Sequence, residues 1–539
     1  MKKIIFILFF IIISSPFLNA YIVIQRVIFD GNNIKNYFQN TGIFNQNTTS
    51  GNLAGFYWPT GTPDSYCFTA GINAVCKIDD HLAMFAGSYR GELVPGYILN
   101  NTLIMNSDFK IYEIKSSDNV YSNPDYANWY KMIPFGAPYE DLNQNCKFDY
   151  GIDKPGIKDA SQTIFVCLTD AMASERSTGE GFGGGITDPI LFAEVRMTAW
   201  GYNDFTLSDA QFLRYEIINK GNKNWDSTYF AIFCDPDIGD ATANYLGCDS
   251  SRNLGYAFSS DNSVVWGAYG MNVLRGPINK LTGDTLYMTS FTRNATSHIC
   301  ETGGATPYEA YNFMKGYKKD HSSYLNPVYT PPVRTKYIFN GDPETNTGWT
   351  YAKGFINNCV GYDSTTIDTV YAGDVRFVMG MGADNLVISP GDTQKIYISQ
   401  MVAKGNSNLN SVTKVKRLSD MVNYVFKNEI IYDIENNCYN PNIPFDFSLS
   451  QNYPNPYNVI TTIQFTISKS ANVKLAIYDI LGREVSVPIN RDYNPGYYQI
   501  SFDASGLASG IYFYRMEIID NAGSTQKIYS RIKKMAVIK

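Results

Sequence analysis

The stretches FAEVRMTAWGY (192–202), QFLRYEIINKG (211–221) and STYFAIFC (227–234) decide the fold class. In the second, Phe212, Arg214 and Glu216 alternate with Leu213, Tyr215 and Ile217, the period of two that sends successive side chains to opposite faces of a strand. Turns separate the three segments, so they read as consecutive strands of a meander or sandwich. The same grammar extends in both directions. From Tyr21 to about Tyr130, short strand patterns are punctuated by loops such as DGNNIKN (30–36) and WPTGTPDS (58–65). Further on, DVRFVMGM (374–381) and QKIYISQMVAKG (394–405) flank the turn signal SPGDT. Only at Val412, Val415, Leu418, Val422, Val425 and Phe426 does the spacing change to three and four, predicting one amphipathic helix over 411–427 with Ser411 as its N-cap.

Composition agrees with a mainly β protein. The 539 residues are 44% hydrophobic, 15% aromatic and only 17% charged, with 41 tyrosines. Low charge with abundant aromatic and small polar residues fits extracellular β structure better than a helical cytosolic enzyme. The length exceeds what one core usually supports, so two or three domains are expected. A net charge of −6 without a concentrated cationic face argues against a nucleic-acid partner.

The segment MKKIIFILFFIIISSPFLNA (1–20) has two lysines, an apolar run from Ile4 to Ile13, and small residues ending at Ala20. It reads as a secretory signal removed at Ala20, because a bilayer span needs about 20 apolar residues. No later segment is long and apolar enough to span, so a mature chain without a transmembrane helix is expected. Nine cysteines follow it and none forms a CxxC pair, which removes support for zinc ribbons and thioredoxin-like sites. Cys67 with Cys76, and Cys234 with Cys248, bracket short turn-rich loops and are available to close them as disulfides; buried thiols are the alternative.

At NNCYNPNIPFD (436–446) the composition breaks, marking a linker. Beyond it lie TTIQFTI (461–467), VKLAIYD (473–479), YYQISF (497–502), IYFYRMEII (511–519) and a last strand through KKMAVIK (533–539), with glycines where the chain must turn. Five or more such strands make a small Ig-like sandwich. The expected organisation is therefore a signal at 1–20, a multi-domain β-sandwich-like body with few helices at 21–435 that has room for two subdomains, a linker at 436–446 and a C-terminal Ig-like sandwich at 447–539. Two prolines in QNYPNPYN (451–458) remove donors and stop the preceding segment from running on.

Residues FSLSQNYPNPYN (447–458), YDILGREV (478–485), GLASGIYFYRM (506–516) and KKMAVIK (533–539) together resemble the type A C-terminal sorting domain of the type IX secretion system. The motif falls on Tyr453, Pro454, Asn455 and Pro456, on Gly482 and Arg483, on Gly506 and Gly510, and on Lys533 and Lys534. Tyr457 stands where the family commonly has phenylalanine. The resemblance implies handling by the type IX translocon, passage across the outer membrane of a Gram-negative cell, usual removal of the domain, and either release or attachment to surface lipopolysaccharide. CDPDIGDATANYLGCD (234–249), FNGDPETNTGW (339–349) and the run 389–416 are similar to blocks in large exported proteins of unknown function that carry the same tail; this implies no activity.

Two acidic stretches are candidates for a cation. DLNQNCKFDYGID (141–153) offers Asp141, Asn143 and Asn145 at alternate positions, then Asp149 and Asp153, the hard oxygen set calcium needs. It departs from an EF-hand, with Cys146 at the turn glycine and Ile152 at the bidentate glutamate, and an Asx-rich turn without an ion is the plainer reading. Asp235, Asp237, Asp240 and Asp249 follow an apolar strand and would repel one another unless solvated or sharing a cation.

Catalytic signatures are sparse. GEGFGG (179–184) satisfies GxGxxG without the flanking strand and helix, and reads as a flexible loop. His81, His298 and His321 are the three histidines; HExxH and GxSxG are absent. Aromatic and Asn-rich stretches such as NYFQNTGIFNQN (36–47) offer stacking surfaces for sugars. The expectation is a non-enzymatic secreted or surface protein with a calcium-stabilised body for adhesion, glycan or protein binding, or surface-layer structure. The rival is a secreted polysaccharide-active hydrolase, which needs a carboxylate of raised pKa in a cleft.

Overall fold

The computed structural model describes residues 23–47, 53–176, 182–185, 187, 189–295, 298–359, 366–431, 447–467, 471–494, 496–520 and 527–539. The expected signal (1–20) and linker (436–446) lie outside the described residues. The chain forms two compact units, the larger comprising Met1–Asn143 and Phe148–Ile434 and the smaller Gln144–Lys147 and Glu435–Lys539.

The larger unit is built on two antiparallel sheets. In the first, the strands run in the order Ser290–Ala295, Val375–Gly382, Asp226–Asp235, Thr69–Ile78, Ile43–Phe44, Lys35–Gln39, Phe56–Tyr57 and Ser65–Cys67, with Arg26–Phe29 and His81–Phe85 paired beside them. In the second, the order is Val94–Pro95, Gln162–Thr169, Ala193–Gly201, Ala210–Asn219, Thr393–Ala403, Ala268–Arg275, Leu254–Ser259 and Asn244–Asp249.

The pleat explains how these sheets stack. On strand 226–235, Phe230, Ile232 and Cys234 enter the main core, where Leu213, Tyr215, Ile217, Ile396 and Ile398 arrive from the second sheet. The intervening Tyr229, Ala231 and Phe233 point the other way, against Ala310, Phe313 and Met314 of the helix Pro307–Lys315. The outer face of the second sheet, through Phe212, Tyr256, Tyr397 and Met401, is covered by Val412, Val415 and Val422 of the helix Asn408–Val425. Central strands covered on both faces read as near-continuous apolar runs.

The long helix begins earlier than its spacing predicts. Ser407, not Ser411, is the N-cap, its hydroxyl accepting from the Asn410 amide at 3.0 Å. Ser411 is buried and donates to the Trp266 carbonyl at 2.7 Å. The short helix carries a capping box in which Thr306 and Glu309 each accept from the other's backbone.

Polar groups also cross the main core. Gln400 donates to Gln211 Oε1 at 2.6 Å and accepts from Asn45 Nδ2 at 2.8 Å and from the Tyr269 hydroxyl at 2.9 Å. Gln211 in turn donates to Asn36 at 3.1 Å. All four carboxamides are fully buried, so this mutually satisfied network fixes how the sheets face one another.

Of the two readings left open for the cysteines, disulfides or buried thiols, the structure has Cys67, Cys76, Cys234 and Cys248 as buried free thiols, and among the described residues a disulfide joins Cys300 to Cys359. Cys76 lies seven residues along the extended strand that opens at Thr69, roughly 23 Å at strand rise, which carries it away from Cys67. Cys234 and Cys248 belong to different sheets. Cys67 instead meets Cys234, with sulfurs 3.6 Å apart.

The smaller unit is an Ig-like sandwich. Ser448–Leu449, Ile460–Ile467 and Gly496–Asp503 form one sheet, and Glu484–Tyr493, Ala471–Tyr478, Gly510–Asp520 and Lys527–Val537 the other. Its core includes Ile463, Val473, Leu475, Ile477, Tyr514 and Met535. Among the described residues no helix is long and apolar enough to cross a membrane.

Candidate functional site

Strand 226–235 ends on Asp235, whose carbonyl accepts from the Phe68 amide at 2.8 Å. The chain then turns back against strand 65–67, the Asp237 amide donating to the Tyr66 carbonyl at 3.2 Å. Neighbouring strand 375–382 opens beside this end and brings Asp374 and Arg376. Carboxylate oxygens of Asp235, Asp237 and Asp374 come within 4.8 Å of one another.

One cation serves the three acids. Arg376 Nε lies 3.4 Å from Asp235 Oδ1 and donates to the Tyr89 hydroxyl at 2.6 Å, while Nη2 donates to Asp374 at 2.8 Å. The Tyr89 hydroxyl donates in turn to Asp235 Oδ2 at 2.8 Å. Asp235 is 3% exposed, and its Oδ1 accepts no hydrogen bond among the described residues.

Electrostatics follow from this crowding. Burial pushes the Asp235 carboxyl up to about 6, with Arg376 and Tyr89 pulling against it. Asp237 is pushed up to about 7 by burial and then by the charges of Asp235 and Asp374. Three carboxylates around one guanidinium leave an excess negative charge, which a proton or a divalent cation relieves. The all-oxygen donor set, with one buried oxygen lacking a hydrogen bond, fits a hard cation.

Of the four aspartates in the sequence cluster, the structure keeps Asp235 and Asp237 together and places the others elsewhere. Asp240 caps the turn Ala241–Ala243, accepting from the Thr242 amide at 2.9 Å and its hydroxyl at 2.8 Å. Asp249 pairs with Arg252 at 2.8 Å and lines a groove of about 490 Å³ with Asp342 and Lys416. Asp374, Arg376 and Tyr89 escaped the sequence reading; their one trace is the D-x-R that opens an otherwise apolar strand. Cys300, Asp320 and Cys359 also converge, but the two sulfurs are joined as a disulfide and offer no thiolate.

The 141–153 loop takes a left-handed backbone at Gln144, Cys146 and Gly151, so Cys146 adopts the conformation a turn glycine would. Asp153 accepts from the amides of Leu142 at 2.9 Å and Asp149 at 2.7 Å, and Asn143 donates to Asp149 at 2.7 Å. Asn145 accepts from the Lys147 amide at 2.8 Å. Asp141 and Asp153 are buried.

In the smaller unit the YPNP segment is tied to the last strand. Gln451 and Asn455 both donate to the Lys534 carbonyl, at 2.7 and 3.3 Å, and Asn455 accepts from the Ala536 amide at 2.9 Å. Tyr453–Pro454 and Asn455–Pro456 are cis. The Tyr457 ring is buried and its hydroxyl donates to the Met535 sulfur at 3.4 Å, so the extra oxygen is satisfied where phenylalanine is common. Gly482 takes a left-handed turn, φ 78°, and Arg483 pairs with Asp479 at 2.7 Å. Gly510 opens a strand in which Tyr514 and Phe513 face Lys533 and Lys534, and Gly506 sits in the turn just before it.

No curated protein matches the chain. Among solved structures, it is similar to a polysaccharide lyase (8% identity, TM-score 0.17, covering 64% of this chain and 34% of the lyase). It is similar also to dimeric latent PorU from Porphyromonas gingivalis (10%, 0.16, 64% and 26%). A third is the adhesin domain of Epf from Streptococcus pyogenes (6%, 0.13, 63% and 82%). The chain thus spans about a third or less of the first two structures' lengths. Residues 451–531 match the family model of the secretion system C-terminal sorting domain, so the smaller unit is a type IX sorting tail.

Proposed function

We propose that the chain is an exported, non-enzymatic protein of the Gram-negative cell surface or its surroundings, whose body serves adhesion, ligand binding or surface-layer structure. The observation that carries this reading is the sorting tail, which addresses a protein to the type IX translocon. In this reading the first twenty residues are removed on entry to the periplasm. The tail is then cleaved or exchanged for a lipopolysaccharide anchor, and a glycan or protein is the ligand.

Calcium is the proposed structural ion, at Asp235, Asp237 and Asp374 and in the 141–153 loop. The raised affinity of Asp235 and Asp237 for protons favours a second reading, a polysaccharide hydrolase. Burial weighs against it: a glycosidase carboxyl pair flanks a sugar in an open cleft, whereas Asp235 is 3% exposed. A crowded, closed carboxylate group suits a shared proton or ion better than a substrate.

The test is a glycan array probed with full-length protein in calcium and again in chelator, with released sugar assayed in parallel. Binding without product is expected. Released sugar that disappears in Asp237→Asn overturns the non-enzymatic reading.

A further inference from the structure

A cavity of about 710 Å³ lies at the C-terminal end of helix 307–315, far along the chain from the acidic group. Tyr317, His321, Ser322, Arg334, Lys336 and Asn358 line it, and no carboxylate does. Its size falls in the range of about 300–1,000 Å³ typical of ligand sites.

The walls are held before any ligand arrives. The Lys318 amide donates to the Ser322 carbonyl at 3.0 Å and the His321 amide to the Lys318 carbonyl at 3.0 Å, closing a tight turn. The Lys319 amide donates to the carbonyl of the disulfide-bonded Cys300 at 3.1 Å. Beneath, the buried Lys318 ammonium donates to Asn358 Oδ1 at 2.7 Å, and Asn358 Nδ2 donates to the Ser323 carbonyl at 3.0 Å. The Asn312 side-chain amide donates to the Lys319 carbonyl, and its oxygen faces His321 Nδ1 at 2.9 Å.

Opposite, the strand Val333–Thr335 pairs with Tyr324–Asn326. Arg334 within this strand and Lys336 in the bend just after it both line the cavity. Gly316 is required here, since φ is +87° and a Cβ would meet that of Lys336 at 2.6 Å. Asp384, which senses Lys336, is itself paired to Lys315 at 2.5 Å, and Asp320 accepts from the Ser322 amide and hydroxyl at 3.1 and 2.6 Å. The His321 ring stacks on Tyr317 at 4.2 Å and 23°.

We infer that this cavity binds a segment of acidic polysaccharide, its carboxylate or sulfate groups on Arg334 and Lys336, its ring against the Tyr317–His321 stack, and its hydroxyls on Ser322 and Asn358. Guanidinium and ammonium groups make charge-assisted hydrogen bonds to such anions, and preorganised walls reduce the cost of ordering a ligand. The inference rests on the ligand-binding reading above and names the ligand's chemistry.

The test is biolayer interferometry of the full chain against polygalacturonate, dextran sulfate and unsubstituted dextran. Both replaced residues have exposed side chains, so Arg334→Gln/Lys336→Gln leaves the core intact; Lys414→Gln/Arg417→Gln, on the exposed face of the long helix, is the control. Binding to an acidic polymer and not to dextran, weakened at least tenfold by the first pair and unchanged by the second, is expected. Response to polygalacturonate alone assigns carboxylate as the anion, and response to dextran sulfate alone assigns sulfate. Equal binding by the Arg334/Lys336 variant, equal response to dextran, or no response to either acidic polymer overturns the inference. Retained binding to a neutral glycan on the array leaves the broader reading standing, whereas silence there as well removes glycan binding and leaves a protein ligand or surface-layer structure as the body's role.

Discussion

At the scale of single residues, the acidic group at the end of strand 226–235 has a measurable pH signature. In the unfolded chain Asp235 and Asp237 ionise near about 3.9, whereas burial and like charge carry them to about 6 and about 7 in the fold. The folded state holds the extra protons between those values. Its advantage is complete below about 4 and is lost as the pH rises through about 7. Calorimetry without divalent ions should show Tm falling over that window, with a smaller fall in Asp237→Asn; identical slopes would remove the coupling. The 141–153 loop makes a second prediction, that Asp141→Ala lowers Tm in calcium and leaves the chelated protein unaffected. Equal shifts in both buffers would sink the calcium loop. Sequence spacing found Asp235 and Asp237 because they are near neighbours in the chain, and missed Asp374, Arg376 and Tyr89 because strand pairing, not proximity in sequence, delivers them.

At the scale of elements, alternation was the most reliable guide. Phe212, Arg214 and Glu216 do share the outer face of their strand, and Leu213, Tyr215 and Ile217 the core. The spacing of the apolar residues puts the start of the long helix at Ser411, a few residues late, and only packing shows that Ser411 is spent on the Trp266 carbonyl while Ser407 caps the helix. The short helix was missed, although Thr306 and Glu309 write a capping box around Pro307 that could have marked it. The carboxamide network was not legible, because Asn36, Asn45, Gln211 and Gln400 look like ordinary loop and strand residues until the sheets stack. It yields a prediction: Gln400→Leu, close in volume, should cost on the order of 2–4 kcal/mol in urea unfolding, since it takes away the buried acceptor of the Asn45 amide and of the Tyr269 hydroxyl. A cost below about 0.5 kcal/mol, the size of an ordinary surface change, would show that the network contributes nothing.

At the scale of the whole molecule, the two units were read from the sequence with unequal depth. The tail was legible because short motifs in fixed order carry its identity, and the structure shows why: Gln451 and Asn455 bind the backbone around Lys534, so the first and last motifs form one assembly. The body was legible as stacked β-sheets and not as an activity, because its charged groups are gathered across sheets from distant segments. The cysteines show the same limit, since loop length proposed Cys67–Cys76 and Cys234–Cys248 while topology joins Cys300 to Cys359 across 59 residues. Closure of a loop that long contributes about 4 kcal/mol in the chain-entropy account.

The central claim is that the tail determines where the body goes. The direct measurement is fractionation of a Gram-negative host with a working type IX system and of an isogenic translocon mutant, each expressing the full chain or a chain ending at Glu435. The full chain should reach the surface or medium only in the competent host, and the shortened chain should stay in the periplasm of both. Equal export of the shortened chain, or export of the full chain without the translocon, would contradict the account.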